Sequence, residues 1–317
     1  MKRMYKVHET SIILLLLIYI AIVGMINPNF VQFNSLSLMM KSSVILVVLA
    51  IGQSFVLFTK NIDVSVGSIM GLSAAVCGML LTNGYNAFMS ILAVIMLGAI
   101  IGFINGIGVA KFRVPAIIMT LGMLGIVRGA MLIFTGGKWI EDIPNDFKQL
   151  SSIIILGLPI TVWFVFIILL LLYFFLRKVP LGRYFYAVGD NEDGARLIGI
   201  PVNKVKIYAF MISGISAALA GCIFVMNIGF VPNQTGTGLE LQVIAAAVLG
   251  GIHLKGGTGS IFGAALGALF LEVISSSLVF LKIPAFWNNA ISGFLLLLII
   301  ILDSVMKKWK AKRRMNL

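Results

Sequence analysis

Apolar runs recur along the whole chain, near residues 10–26, 42–58, 66–82, 87–109, 114–135, 153–176, 207–228, 239–252, 260–280 and 288–304, with short polar or glycine-bearing stretches between them. A helix rising about 1.5 Å per residue needs about 20 apolar residues to cross a hydrocarbon core of about 30 Å, and most of the runs approach that length. The pattern therefore predicts an all-α integral membrane protein with about ten transmembrane helices, forming a single transmembrane domain over residues 1–317. The third and eighth runs are short or rich in glycine, and 239–252 has the length of a buried or re-entrant segment.

Composition agrees: 60% of the residues are apolar and only 11% are charged, against about 25% in soluble domains, which excludes a water-soluble globular protein. The first run, 12–25, follows Lys2, Arg3 and Lys6 like a signal peptide, but Asn27-Pro28-Asn29-Phe30 stands where small residues would mark cleavage. It reads as an uncleaved first span. Cys77 and Cys222 both lie within apolar runs, so the expectation is two buried free thiols and no disulfide framework.

A net charge of +13 raises the prospect of nucleic-acid binding, yet the basic residues are dispersed between spans rather than gathered on one soluble face. Taking the amino terminus as cytoplasmic places Lys2, Arg3, Lys6, Lys60, Lys111, Arg113, Arg177, Lys178, Arg183, Arg196, Lys204, Lys206, Lys255 and the six basic residues of 307–314 inside. Lys41, Lys138, Lys148 and Lys282 fall outside and Arg128 within a span, so the count is nineteen inside against four outside. That is the bias of the positive-inside rule, and it predicts two cytoplasmic termini and an even number of crossings.

The longest inner connection, 177–206, holds most of the soluble-looking sequence. A short helix is expected there: Asp190 and Asn191 are able to cap it, Glu192 and Asp193 sit in its first turn, and Gly199 followed by Pro201 stops it. Elsewhere, Gly67-Ser68-Ile69-Met70-Gly71 is echoed by Gly259-Ser260-Ile261-Phe262-Gly263, 192 residues later. A duplicated transporter half would explain the echo, and small residues at helix contacts explain it more simply, without duplication.

No phosphate-cradling loop, zinc-protease helix or nucleophile elbow occurs; Gly136-Gly137-Lys138 runs into Trp139. The chain is thus expected to be no enzyme and to carry no catalytic residues, metal or cofactor. Ionisable groups inside spans are few, with Arg128 and Glu272 the clearest and a mutual ion pair the expectation. Uncharged polar groups gather instead at span ends: Asn61, Asp63, Ser65 and Ser68; Asn233, Gln234, Thr235 and Thr237; Asn288 and Asn289. Amides and hydroxyls suit a neutral polyhydroxylated solute. Trp139, Phe286 and Trp287 are placed either to stack on a sugar-like ring or to anchor the chain at the interface.

The segments TKNIDVSVGSIMG (59–71), VPAIIMTLGMLGIVRGAMLIFTGGKWIEDIP (114–144), GRYFYAVGDNEDGARLIGI (182–200), AAAVLGGIHLKGGTGSIFGA (245–264) and IPAFWNN (283–289) resemble the ribose-type permeases of bacterial ATP-binding-cassette (ABC) importers. TGGKWIEDIP and IGFVPNQTGTGLE are most similar to the Lsr-type branch, which admits autoinducer-2, a furanose-like quorum-sensing signal. The resemblance implies a second permease subunit, either a copy or a related chain. It also implies cytoplasmic ATP-hydrolysing subunits that hold the ATP and Mg, and an extracytoplasmic solute-binding protein.

The resemblance further implies that 192–199 is the coupling motif that docks into the ATPase, with Asp190, Asn191, Glu192, Asp193, Ala195, Arg196 and Gly199 as its residues. The sequence EDGARLIG departs from the E-A-A-x3-G pattern, because Asp193 and Gly194 replace alanines and the glycine comes one position late. Asn61, Asp63, Ser65, Gly67 and Arg128, with Asn233, Gln234, Thr235 and Asn288, are expected along the translocation pathway in the cell membrane. Ribose or another monosaccharide is the alternative cargo. A stand-alone ion-driven carrier would need a relay, and a membrane enzyme would have to rely on Glu141, Asp142 and Asp146.

Overall fold

The structure, a computed structural model, describes residues 2–284 and then 286–288, 290–294, 297, 298 and 301. The run 288–304 is therefore only partly described, and Asn289 and the basic cluster 307–314 lie outside the described residues. Side chains are described from residue 9 onward.

The helices are α1 (Lys2–Ile26), α2 (Phe33–Phe58), α3 (Val66–Thr82), α4 (Ala87–Ala110), α5 (Ala116–Thr135), α6 (Asn145–Leu150), α7 (Ile160–Lys178), α8 (Pro180–Asp190), α9 (Glu192–Leu197), α10 (Val202–Ile228), α11 (Leu239–Leu249) and α12 (Ile261–Phe280). Seven of them are long and apolar enough to cross a membrane, while α3 and α11 are shorter apolar helices. The chain is a multi-pass membrane protein.

Several bounds differ from the sequence expectation, the start of α1 at Lys2 rather than 10 among them. Helix α2 begins at Phe33 rather than 42, because the serine, asparagine and lysine of its first turns hide a helix from a hydropathy count. Helix α10 likewise reaches back to Val202 through Asn203, Lys204 and Lys206. Helix α7 starts at Ile160, not 153, since Gly157, in a left-handed conformation, turns a small hairpin between β1 (Ile154–Ile155) and β2 (Leu158–Pro159). Helix α11 ends at Leu249, and at 11 residues it rises only about 16 Å, roughly half a bilayer core.

Helix α10 is the hub. Two-thirds of its apolar window is buried, against 22% in α5 and α7, which turn Ile, Leu and Phe outward as a lipid-facing surface requires. Lipid tails are as apolar as leucine, so helices in a bilayer associate where small residues allow close backbone approach. Here a Cβ on Gly98 or Gly102 of α4 would overlap the carbonyls of Gly214 and Phe210 in α10, and one on Gly52 of α2 would meet Ser216. The echoed glycines work the same way. Gly67 and Gly71 of α3 press on the carbonyls of Gly236 and Thr235, while in the second copy Gly263 of α12 presses on the Gly250 carbonyl and Gly259, before the helix, abuts Ile252. Both copies thus make close contacts with the segments flanking α11, as small-residue packing requires. Cys77 and Cys222 are buried and free, as expected.

The bundle has two ends. One carries α8, α9, Lys60 and the 250–259 loop; the other carries the β1–β2 hairpin, and the two are called the α9 end and the hairpin end.

Candidate functional site

At the α9 end, Pro180 occupies the first turn of α8, and its apolar residues Leu181, Tyr184, Phe185 and Val188 pack on the core. Gly189 sits so close to the end of α2 that a Cβ would overlap the Phe58 carbonyl. That carbonyl accepts from the Gly257 N–H at 3.0 Å, and Gly257 in turn abuts Asp190. Asp190 closes α8, and Asn191 then caps α9, its Oδ1 accepting from the Gly194 N–H at 2.9 Å. A Cβ on Gly194 would press into that Asn191 side chain, which gives a physical reason for glycine where an alanine is the family pattern.

Glu192 and Asp193 lie in the first turn of α9, where the helix dipole favours negative charge. Glu192 pairs with Arg196 at 3.3 Å and with Lys206 of α10 at 2.7 Å, so it ties α9 to the hub helix. The helix stops in a Schellman arrangement. Gly199 has φ +82°, its N–H donates to Arg196 O, and the Ile200 N–H donates to Ala195 O, with Ala195 and Ile200 both buried. Between these fixed ends, Leu197 and Ile198 are 89% and 76% exposed. They were not legible as site residues, because in an apolar chain they look like two more core positions. A cavity of about 410 Å³ beside α9 is lined by Asn61, Arg113, Glu192, Arg196 and Lys206.

Asp63 and Ser65 are completely buried between α2 and α3. Asp63 Oδ1 accepts from the Ser65 N–H (2.9 Å) and hydroxyl (2.6 Å), and Oδ2 accepts from the Ser213 hydroxyl of α10 (2.8 Å). The Asn105 amide of α4 donates to Ser65 Oγ at 2.9 Å, and Thr120 of α5 accepts from the Val64 N–H at 3.1 Å. The Gln53 amide, oriented to satisfy both, pairs with the backbone N–H and C=O of Asp63 at 3.2 Å. This connection is thus pinned to four helices. Asn61 is turned away from the network, donating to Thr59 and facing the α9-end cavity.

The connection from 229 to 238 does not stay at the hairpin end. Val231 pairs with Ile140 in an antiparallel bridge and Asn233 donates to Gly137 O at 2.8 Å. Along α3, Val231 then lies against Gly78, Thr235 against Gly71 and Gly236 against Gly67. Eleven helical residues separate Gly67 from Gly78, so the chain descends about 16 Å into the bundle before α11 begins. A broken helix entering from one end is the construction by which many transporters build a site near the bilayer middle.

Arg128 is bound to this inserted segment. Its guanidinium donates to Thr235 O at 2.7 Å and faces the charge of Glu240 in the first turn of α11. The expected Arg128–Glu272 pair is not formed: among the described residues the ion pairs are those of Glu192, and Glu272 takes a hydrogen bond from Ser276. Similar depth does not fix position around a bundle, and the inserted segment reaches Arg128 first. Thr235 is buried and donates to Pro232 O, Gln234 is exposed, and Asn288 is half-buried in the partly described stretch. Trp139 stacks on Phe230, with ring centroids 5.8 Å apart, where it secures the same connection.

Lipid-facing helices and a segment inserted into the bundle from one end suit a membrane permease. The chain belongs to the family of permease components of the branched-chain amino acid transport system, whose model matches residues 35–300. Among its relatives, an autoinducer 2 import system permease protein LsrC of Escherichia coli O157:H7 is 47% identical over 93% of this chain and 86% of its own. The proteins of the same name from Photorhabdus luminescens (47% identical, 93% of this chain and 89% of the relative) and Salmonella paratyphi B (46%, 96% and 88%) are similarly related. No solved structure matches.

Proposed function

We propose that this chain is the transmembrane permease subunit of a bacterial ABC importer that admits autoinducer-2. The observation that carries the reading is the 47% identity, over 93% of the chain, to permeases named for autoinducer 2 import. About ten crossings, counting the partly described run 288–304, and cytoplasmic termini put α9 in the cytoplasm. There Leu197 and Ile198 dock into the ATPase subunit, which alone binds ATP and Mg; this chain contributes no catalytic group and no cofactor. A second permease subunit completes the passage, and an extracytoplasmic binding protein delivers the solute at the hairpin end.

The route of coupling is mechanical. Glu192 joins α9 to α10 through Lys206, while Gly189 and Gly257 join α8 to the end of α2 and to the loop after α11. Helix α11 begins at the inserted segment held by Arg128. Closure of the ATPase therefore moves the elements around 232–238, and the interior is exposed alternately to the two sides. Asp63 and Ser65 act as a brace beneath this moving part rather than as solute contacts, since their polar groups are already satisfied within the protein.

Co-expression with the ATPase and binding protein, followed by reconstitution, tests the reading. ATP-dependent accumulation of autoinducer-2 is expected; accumulation of ribose alone would overturn the assigned cargo, and accumulation without ATP would overturn the importer.

A further inference from the structure

A second cavity, of about 390 Å³, lies in the half of the bundle nearer the hairpin end, bounded by α2, α3, α10, α11 and α12 beside the inserted segment at Gly236. Its volume is within the range of about 300–1,000 Å³ usual for small-molecule pockets. Most of the wall is apolar, with Leu46, Met70, Phe224 and Leu239 among its residues, and five polar side chains interrupt it: Lys41, Ser42, Asn227, Gln242 and Glu272.

Two features distinguish these polar groups from ordinary helix packing. Lys41 is eight residues into α2 and Glu272 eight residues short of the end of α12, which sets both about 12 Å in from the hairpin end of their helices. They share one cavity at one depth and carry opposite charges, yet no ion pair joins them. Lys41 uses one of its three ammonium donors, on Ser151 Oγ at 3.0 Å, and Glu272 is served by Ser276. Second, Asn227 Oδ1 is buried with no hydrogen-bond partner, although its own amide donates to Lys41 O at 3.4 Å. That oxygen is shielded from water, so a turn of the Asn227 side chain, which lines the cavity, is what presents it to a solute.

We infer that this cavity is a holding site for a neutral, polyhydroxylated, sugar-sized solute, with Lys41, Asn227 and Glu272 as its polar contacts. The chemistry selects such a solute. A wall with one basic and one acidic side chain repels a ligand of a single charge sign at one of its two poles, which favours a solute without net charge. Hydroxyls both donate and accept, so one molecule is able to take a bond from Lys41 and give bonds to Glu272 and Asn227 Oδ1, while the aliphatic and aromatic wall covers its C–H faces. The cavity borders Gly236, so movement of the inserted segment opens or closes it. This inference rests on the reading of the chain as a solute permease.

The test uses the complete transporter, reconstituted with its ATPase and binding protein, and whichever of autoinducer-2 or ribose the wild type accumulates. Glu272→Leu and Lys41→Met are each expected to lower the ratio of solute accumulated to ATP hydrolysed about tenfold, the scale of one hydrogen bond to a charged group. Glu272→Gln, which keeps an acceptor, restores much of that ratio. An unchanged ratio, or uptake and hydrolysis falling in parallel, overturns the inference. Should the leucine variant fail to fold, Gln242→Cys with Cys77 and Cys222 replaced by alanine gives a second measure. Its reaction with a sulfonate-bearing thiol reagent slows at least about threefold during solute turnover, and solute-independent labelling overturns the site. A wild type that accumulates neither solute defeats the functional reading itself, and the inference with it.

Discussion

Replacing Leu197 and Ile198 together by serine removes the exposed apolar tip of α9 without touching the fold. Complete burial of a leucine or isoleucine contributes about 1.5–3 kcal/mol. At 89% and 76% exposure, the pair holds about 2.5–5 kcal/mol of unused burial for a docking partner. The lower figure weakens association with the ATPase about 60-fold. The two side chains leave no cavity behind, and the Asn191 cap and the Gly199 turn remain, so membrane insertion and thermal stability in detergent stay at wild-type values. The assay is co-purification with the tagged ATPase over a concentration series, alongside ATP-dependent uptake in vesicles. Association and uptake within about twofold of wild type would refute the assignment of α9 as the docking element.

Four further outcomes are expected. Gly199→Val forces a β-branched residue to φ +82° and costs about 1–2 kcal/mol at the end of α9, seen as faster proteolysis of 190–200 and reduced uptake. Asp63→Ala strands the Ser65 N–H and two hydroxyls and destabilises by at least about 3 kcal/mol, lowering the detergent melting temperature, whereas Asp63→Asn loses less. Gly71→Val drives its side chain into the Thr235 carbonyl and displaces the inserted segment, abolishing uptake while co-purification with the ATPase persists. Arg128→Ala removes the charged donor on Thr235 O and raises amide exchange over 232–238 at least about tenfold.

Hydropathy made most of the fold legible, because a lipid solvent demands continuous apolar length and little else; α3 was bounded correctly to the residue. It was blind where that demand lapses. The serine, asparagine and lysine before residue 42 hid the start of α2, and α8 was hidden by its tyrosines, its arginine and the loop around it. Helix α9 was readable through local chemistry: an asparagine cap, two acids in the first turn and a terminal glycine all lie within nine residues. Its exposed tip was not, since exposure of Leu197 and Ile198 depends on what fails to cover them. The second cavity is still less readable. Lys41 and Glu272 are 231 positions apart, and only the packing of α2 and α12 against the inserted segment brings them to one wall.

At Gly189 and Gly257 the end of α8 and the loop after α11 meet the end of α2 main chain to main chain. Side chains in contact yield by changing rotamer, and such joints absorb small displacements. Peptide planes locked at van der Waals distance have no such slack, so this joint works as a bolted lever rather than a sprung one. A displacement of α8 by one ångström would therefore arrive at Phe58 nearly undiminished.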